Sequence, residues 1–344
     1  MCQSIHPAMR SGSEPHMKRI CVYGVGAVGG HLAARLAHSG IDVSVVARGA
    51  NLDAIRAKGL KLTSGDETFE GRVRASSDPR ELGEQDAVIV TVKANSLASV
   101  AEGIAPLLGP DTPVVFAING IPWWYQLELK GAPPEARSRL DPGGLLEGTV
   151  GLERTVACVI YSSNSVIAPG EIRNPPGGGK RFTLGEPSGG ADSARCVALS
   201  ALLTGAGMEA PIIGSVRAEI WKKLLMNLSV SGVCCLTDSD MSKIAASAEL
   251  RALCYSIIQE GRAIAQAHGA AVEATPEQML PPALPAHKPS ILQDLEHRKP
   301  MEVDAMFVAA TDFARAAGVA TPVLDAVVAM IRQRAATAGL YSLG

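Results

Sequence analysis

Five polar positions in the second half of the chain have the residue types and spacing for acid–base work. In the stretch RAEIWKKLLMNLSVSG, Lys223 and Asn227 stand four residues apart, on one face of a helix. Ile220, Trp221, Leu224, Leu225 and Leu228 supply an apolar stripe beside them. A lysine at the margin of such a stripe can carry an ammonium into a cleft, stabilise developing negative charge there and donate a proton. It can equally snorkel to solvent, or pair with Glu219 at the same i, i+4 spacing. Lys222 points elsewhere and reads as solvated. Ser290 and Asp294 share a second helix face behind Pro289, and Glu302 follows Pro300. Taken singly, Ser290 suits the first position of a helix, and Glu302 suits the positive end of the next helix dipole.

A different chemistry is written near the start. Gly24, Gly26 and Gly29 are spaced GxGxxG within KRICVYGVGAVGG. The apolar run before them suits a strand buried on both faces, and HLAARLAHSG after them suits a helix stopped at Gly40. Strand, glycine turn and helix in that order are the setting of a dinucleotide-binding loop. Gly24 permits the tight turn, Gly26 lets the backbone approach a pyrophosphate, and Gly29 lets the helix pack on the strand. Val25, Ala27 and Val28 complete the loop expected to line the cofactor. The free N–H groups of the helix N-terminus face the phosphates. The next strand, residues 42–48, ends in Arg48, where binders of NAD usually place a carboxylate for the ribose 2′-hydroxyl. A guanidinium there suits a 2′-phosphate, so NADPH is expected rather than NADH.

These groups need a scaffold, and the rest of the chain describes one. Residues 86–92 and 113–118 are buried strands separated by an apolar helix over 97–108, a doubly wound α/β pattern. Such sheets bind ligands beyond the carboxyl ends of their strands, where Lys93 and Asn119 fall. Small strands are expected at 60–63 and 68–73. Residues 121–151 form a long irregular loop, in which Trp123, Trp124 and Tyr125 either close over the cofactor or pack as a cluster. Strands over 156–161, 166–167, 171–172 and 181–185, with no helices between them, read as antiparallel additions to the sheet. A helix over 193–204 and a last short strand at 210–213 follow. From Ser215 on, the pattern is helical: 216–230, 241–268, 288–296, 302–317 and one more after Pro322.

The fold class is therefore α/β: an N-terminal Rossmann-type doubly wound sheet followed by an all-α C-terminal domain. Residues 1–16 are expected to be a disordered leader, 17–214 the nucleotide domain, and 215–344 the helical substrate domain. The chain of 344 residues is 47% hydrophobic, enough for two cores. A net charge of −2 offers no basic field for nucleic acid. No apolar run is long enough for a membrane span, and the leader has no apolar segment of a signal peptide. Seven scattered cysteines suit a reducing, cytoplasmic setting, with Cys234 and Cys235 as buried thiols. No metal is expected, since His287 and His297 lack a partner set. Apolar faces on the later helices are compatible with a homodimer.

Taken together, the motifs resemble the ketopantoate reductases, also called 2-dehydropantoate 2-reductases. The matches run in order through both halves: GVGAVGG; Lys93 after VIVTV; Asn119-Gly120 after VVFAI; RAEIWKKL with Asn227; SILQDL; and MEVD. The resemblance covers most of residues 17–335. It implies reduction of an α-keto acid by NADPH in a cleft between a Rossmann domain and a helical domain, on the path to pantothenate. It also implies Lys223 as the catalytic lysine and Asn119, Asn227, Ser290 and Glu302 as substrate contacts. Asp294 lies in the same motif as Ser290, and Arg48 and Lys93 correspond to positions that reach the cofactor. Two departures bear on the substrate: Ser231 stands where the family commonly has a second asparagine followed by proline, and the loop over 123–151 is longer than in compact members. The alternative is a related NADPH-dependent reductase of another branched 2-keto acid.

Overall fold

The apolar runs become strands of a seven-stranded sheet in the computed structural model, which describes residues 17–191 and 193–343. The expected leader, residues 1–16, lies outside the described residues. In chain order the strands are β1 (Arg19–Tyr23), β2 (Asp42–Val46), β3 (Leu60–Ser64), β4 (Glu67–Gly71), β5 (Arg74–Ser76), β6 (Ala87–Val90), β7 (Val114–Ala117), β8 (Thr155–Tyr161), β9 (Ser165–Ala168), β10 (Glu171–Asn174) and β11 (Arg181–Gly185). The large sheet runs β11-β8-β7-β6-β1-β2-β5, and every neighbouring pair is parallel except β11 against β8. Its order reverses between β1 and β6, which is the switch point of a doubly wound sheet. β1, β6 and β7 read as continuous hydrophobic runs because helices or loops cover both faces.

The later strands depart from the expected pattern. β8 joins β7 in parallel, and only β11 is an antiparallel addition. β9 and β10 leave the large sheet and pair with β3 and β4 in a second sheet, ordered β4-β3-β10-β9. The crossover from β7 to β8 is the long segment 121–151, whose short helices Pro134–Leu140 and Leu145–Thr149 escaped sequence reading. A parallel neighbour requires such a crossover, so the missing regular helix hid the direction of β8. Of residues 210–213 only Ile212 bridges to β11, and the helix expected over 97–108 ends at Gly103, followed by a 3-10 turn.

From Val216 the chain is helical: Val216–Met226, Gly232–Thr237, Met241–Ala246, Ala248–Ala267, Pro276–Met279, Ser290–Glu296, Ala309–Ala316 and Pro322–Thr337. Two π-helical turns interrupt it, Asn227–Ser231 and Asp304–Val308, and they pack against each other. The tryptophan segment is a packing cluster. Trp123, Trp124 and Tyr125 are at most 1% exposed, and the Trp221 indole donates to the Tyr125 hydroxyl at 2.7 Å. The Phe313 ring meets Tyr125 edge-on at 5.5 Å. Burial of each such aromatic contributes roughly 2–3 kcal/mol, and here it fastens the helical half to the crossover after β7. Among the described residues no helix is long and apolar enough to cross a membrane.

Candidate active site

The carboxyl ends of neighbouring parallel strands carry the candidate residues into one region. β1 leads to Gly24, β2 to Arg48, β6 to Lys93, β7 to Asn119, and β8 ends at Tyr161.

The glycine loop is built by close contacts. Gly24 has φ +95°, and a side chain on it would press on Val92. A Cβ on Gly29 would lie 2.0 Å from the Gly24 carbonyl oxygen and 2.3 Å from Thr91 Oγ1. Gly26 differs: a Cβ there would meet nothing within 4 Å. Its lack of a side chain therefore serves no contact within the chain, as expected where a ligand must approach the backbone. Gly26 is the N-cap of the helix Ala27–His38, and neither a side-chain cap nor a first-turn carboxylate competes for its first N–H groups. These features fit a dinucleotide pyrophosphate. Asn51, absent from the sequence candidates, steadies the loop by donating to the Val25 carbonyl at 2.6 Å and accepting from the Gly170 amide at 2.8 Å. An asparagine in a helix first turn gives no such signal without the fold. Arg48 is exposed just beyond the end of β2.

The second constellation centres on Lys223. Its Nζ donates to Asn119 Oδ1 at 2.7 Å, crossing from the helical half to the end of β7. The alternative pairing with Glu219 is not formed, because that carboxylate accepts from the Tyr161 hydroxyl at 2.9 Å. Lys222 points away and is exposed. Burial favours the neutral amine and lowers Lys223 to about 8, with Cys158 and Glu302 opposing the shift. Gly120, at φ +82°, lets the end of β7 close on the second π turn: Ile121 donates to the Ala305 carbonyl at 2.8 Å.

Lys223 and Asn227 line one pocket with Phe116, Ile118, Trp124 and Cys158. The Asn227 Nδ2 is buried without a hydrogen-bond partner in the protein, an amide donor left for something else to satisfy. Glu302 is 6% exposed, and its carboxylate accepts from the Ala94 amide at 2.9 Å. Burial raises its pKa, while that amide, Lys93 and Lys223 oppose the rise. The Lys93 ammonium bonds the Pro300 carbonyl at 3.0 Å and pairs with Asp294 at 2.6 Å, so it joins the two halves. Ser290 is exposed in the first turn of the helix that carries Asp294. The structure thus gathers Lys223, Asn119, Asn227 and Glu302, with Lys93 and Asp294 beside Glu302; it leaves Ser290 and Arg48 at the exposed margin. Both π turns adjoin candidates, since Asn227 opens one and Glu302 lies two residues before the other.

An ammonium held this way, with polar donors around it and a nucleotide cradle on the neighbouring strands, can protonate an oxygen on which charge develops.

Comparison with known proteins gives a consistent picture. The family model described as "Ketopantoate reductase PanE/ApbA" matches residues 20–131, and its C-terminal counterpart matches residues 215–335. The 2-dehydropantoate 2-reductase of Mesorhizobium japonicum is 42% identical over 328 residues, 94% of this chain and 100% of that protein. The crystal structure of a 2-dehydropantoate 2-reductase from Geobacter metallireducens GS-15 superposes with a TM-score of 0.80 at 27% identity, covering 92% of this chain and 99% of the other. D-mandelate dehydrogenase, solved with NADH and anilino(oxo)acetate, shares the fold at a TM-score of 0.79 and 20% identity, over 94% of this chain and 100% of its own.

Proposed function

We propose, from the premise that this chain belongs to the ketopantoate reductase family, that it reduces 2-dehydropantoate to pantoate, a step of pantothenate synthesis. The enzyme is an oxidoreductase that uses a nicotinamide dinucleotide. NADPH is the form we propose, because β2 leads to an exposed guanidinium at Arg48 and no carboxylate stands at that position. The loop 24–29 would hold its pyrophosphate. When bound, the nicotinamide supplies the hydride; the protein supplies position and field.

The observation that carries the reading is the half-buried Lys223 ammonium, bonded to Asn119 at the end of β7. With a pKa of about 8, Lys223 is mostly protonated at neutral pH and close enough to that pH to give up its proton readily. In the proposed mechanism it stabilises negative charge on the carbonyl oxygen and then protonates it. Asn119 orients the ammonium. The unpartnered amide of Asn227 donates to the substrate, Ser290 donates to the keto acid carboxylate, and Glu302 accepts from the substrate hydroxyl. Lys93, already bridging to Asp294 and Pro300, reaches the cofactor side of the cleft in this scheme.

The division we propose at Gly214 separates cofactor-holding from proton-donating residues. Cytoplasmic location suits a biosynthetic reductase whose described cysteines are all free and buried. A homodimer through the apolar helices belongs to the same proposal, and light scattering would test it. Purified protein mixed with NADPH and 2-dehydropantoate should lose reduced-nicotinamide absorbance and form pantoate. Turnover of other branched 2-keto acids with no pantoate formed would move the assignment to the alternative substrate class.

A further inference from the structure

The proposed reading of the site uses Lys223 and its polar neighbours but gives no role to Tyr161. That residue ends β8, in the sheet half. Its ring centroid lies 5.7 Å from Lys223 Nζ, within cation–π range. Its hydroxyl donates to Glu219 Oε1 at 2.9 Å, and Glu219 lies one helical turn before Lys223. The ring is thus fixed by the helix that carries the lysine. Lys223 is held from two strand ends at once, by the Asn119 oxygen after β7 and by the aromatic face at the end of β8.

The two contacts differ chemically. Asn119 accepts one of the three ammonium protons, whereas an aromatic face stabilises positive charge without a lone pair that competes for a proton. That suits an acid that must keep its proton in a buried place and release it to substrate. We propose that Tyr161, anchored by Glu219, is a positioning residue for Lys223: its ring holds the ammonium at the carboxyl end of β7 and favours the charged form there. The proposal rests on the reading of Lys223 as the acid, but its direct readout does not.

Several charged and titratable groups bear on the lysine. Cys158 comes from β8, and Glu302 comes from the segment before the second π turn. Glu219 and Lys222 lie on its own helix, and Lys222 stands 3.9 Å from Glu219. Arg181 of β11 lies 5.8 Å from the Tyr161 ring centroid and does not replace the lysine. None of the other groups offers the ammonium an aromatic face.

The test compares Tyr161→Leu with Tyr161→Phe. Leucine keeps an apolar wall and loses the aromatic face; phenylalanine keeps the face and loses the Glu219 bond. In unliganded protein carrying ε-13C lysine, the Lys223 resonance, assigned against Lys223→Ala, is titrated by NMR. Both variants free Glu219 from the Tyr161 hydroxyl, so they are compared with each other: the leucine variant should titrate about one pH unit below the phenylalanine variant. In turnover, the alkaline fall of kcat should move down with it in the leucine variant, kcat at neutral pH should drop about twofold as the protonated fraction falls, and KM should change little. Cofactor titration checks that each variant is folded; if the leucine variant is not, Tyr161→Met takes its place. A Lys223 titration in the apolar variant equal to or above that in Tyr161→Phe overturns the proposal. A titration that moves as expected while turnover ignores Lys223→Ala upholds the contact and refutes only the role of the lysine as acid.

Discussion

Two alanine substitutions, three residues apart in the glycine loop, should fail in opposite ways. In Gly29→Ala the new methyl would stand 2.0 Å from the Gly24 carbonyl oxygen and 2.3 Å from Thr91 Oγ1, where ordinary contact begins at 3.4 Å. Neither obstacle is the end of a flexible chain. One is backbone, and the other is a threonine whose hydroxyl donates to that same carbonyl. The helix Ala27–His38 must therefore move more than an ångström off the sheet. Overpacking of this kind typically costs about 1–3 kcal/mol, and two rigid overlaps place it near the upper end. At roughly 2–4 °C per kcal/mol for domains of this size, melting should fall by about 6–12 °C. In Gly26→Ala the methyl meets nothing within 4 Å, and φ is −85°. Stability should stay within about 0.5 kcal/mol of wild type. In the proposed cofactor placement the methyl stands in the path of the pyrophosphate, so NADPH affinity should drop about tenfold or more, equivalent to about 1.4 kcal/mol. Thermal unfolding followed by circular dichroism reads the first effect; titration of NADPH fluorescence reads the second. Wild-type affinity in Gly26→Ala would remove the cradle argument, and wild-type melting in Gly29→Ala would remove the packing argument.

Further expectations concern charge. Lys223→Ala should lower turnover by about a hundredfold or more with cofactor affinity retained, as steady-state kinetics beside a binding titration will show. In the wild-type enzyme, keto acid reduction should decline as pH rises through about 8, where Lys223 loses its proton. Arg48→Asp should weaken NADPH binding more than NADH binding; the reverse order in paired titrations contradicts the 2′-phosphate assignment. His31 is fully buried, accepts from Arg35 Nε at 3.1 Å, and is lowered to about 4, mainly by burial. The unfolded chain binds a proton at His31 near pH 6.5 and the folded one only near 4, so this stability is complete above 6.5 and lost as pH falls through that window. The loss amounts to roughly 3 kcal/mol by the usual conversion, and His31→Asn should show a flatter melting profile between those values.

Much of this protein was legible in its sequence because the information is local. The glycine spacing, the apolar runs of β1, β6 and β7, and the change to helical periodicity after Ser215 each arise from neighbouring residues. They led to the α/β class and to the candidates at strand ends. The reading failed where partners are distant in sequence. β9 and β10 belong to a second sheet with β3 and β4, about a hundred residues away. β8 joins β7 in parallel across an irregular crossover. The tryptophan segment carried two readings until Phe313 and Trp221 closed around Tyr125.

Residue types alone determined that a phosphate cradle and an amine were present, since glycine spacing and helix period need no partner. Only tertiary structure decided what the amine faces. From periodicity, Lys223 had three outlets: solvent, Glu219 or a cleft. Asn119 accepts its proton and Tyr161 occupies Glu219, and both come from the other half of the chain. An ammonium goes where its desolvation is best offset, and that balance is set by groups that chain folding alone brings within reach.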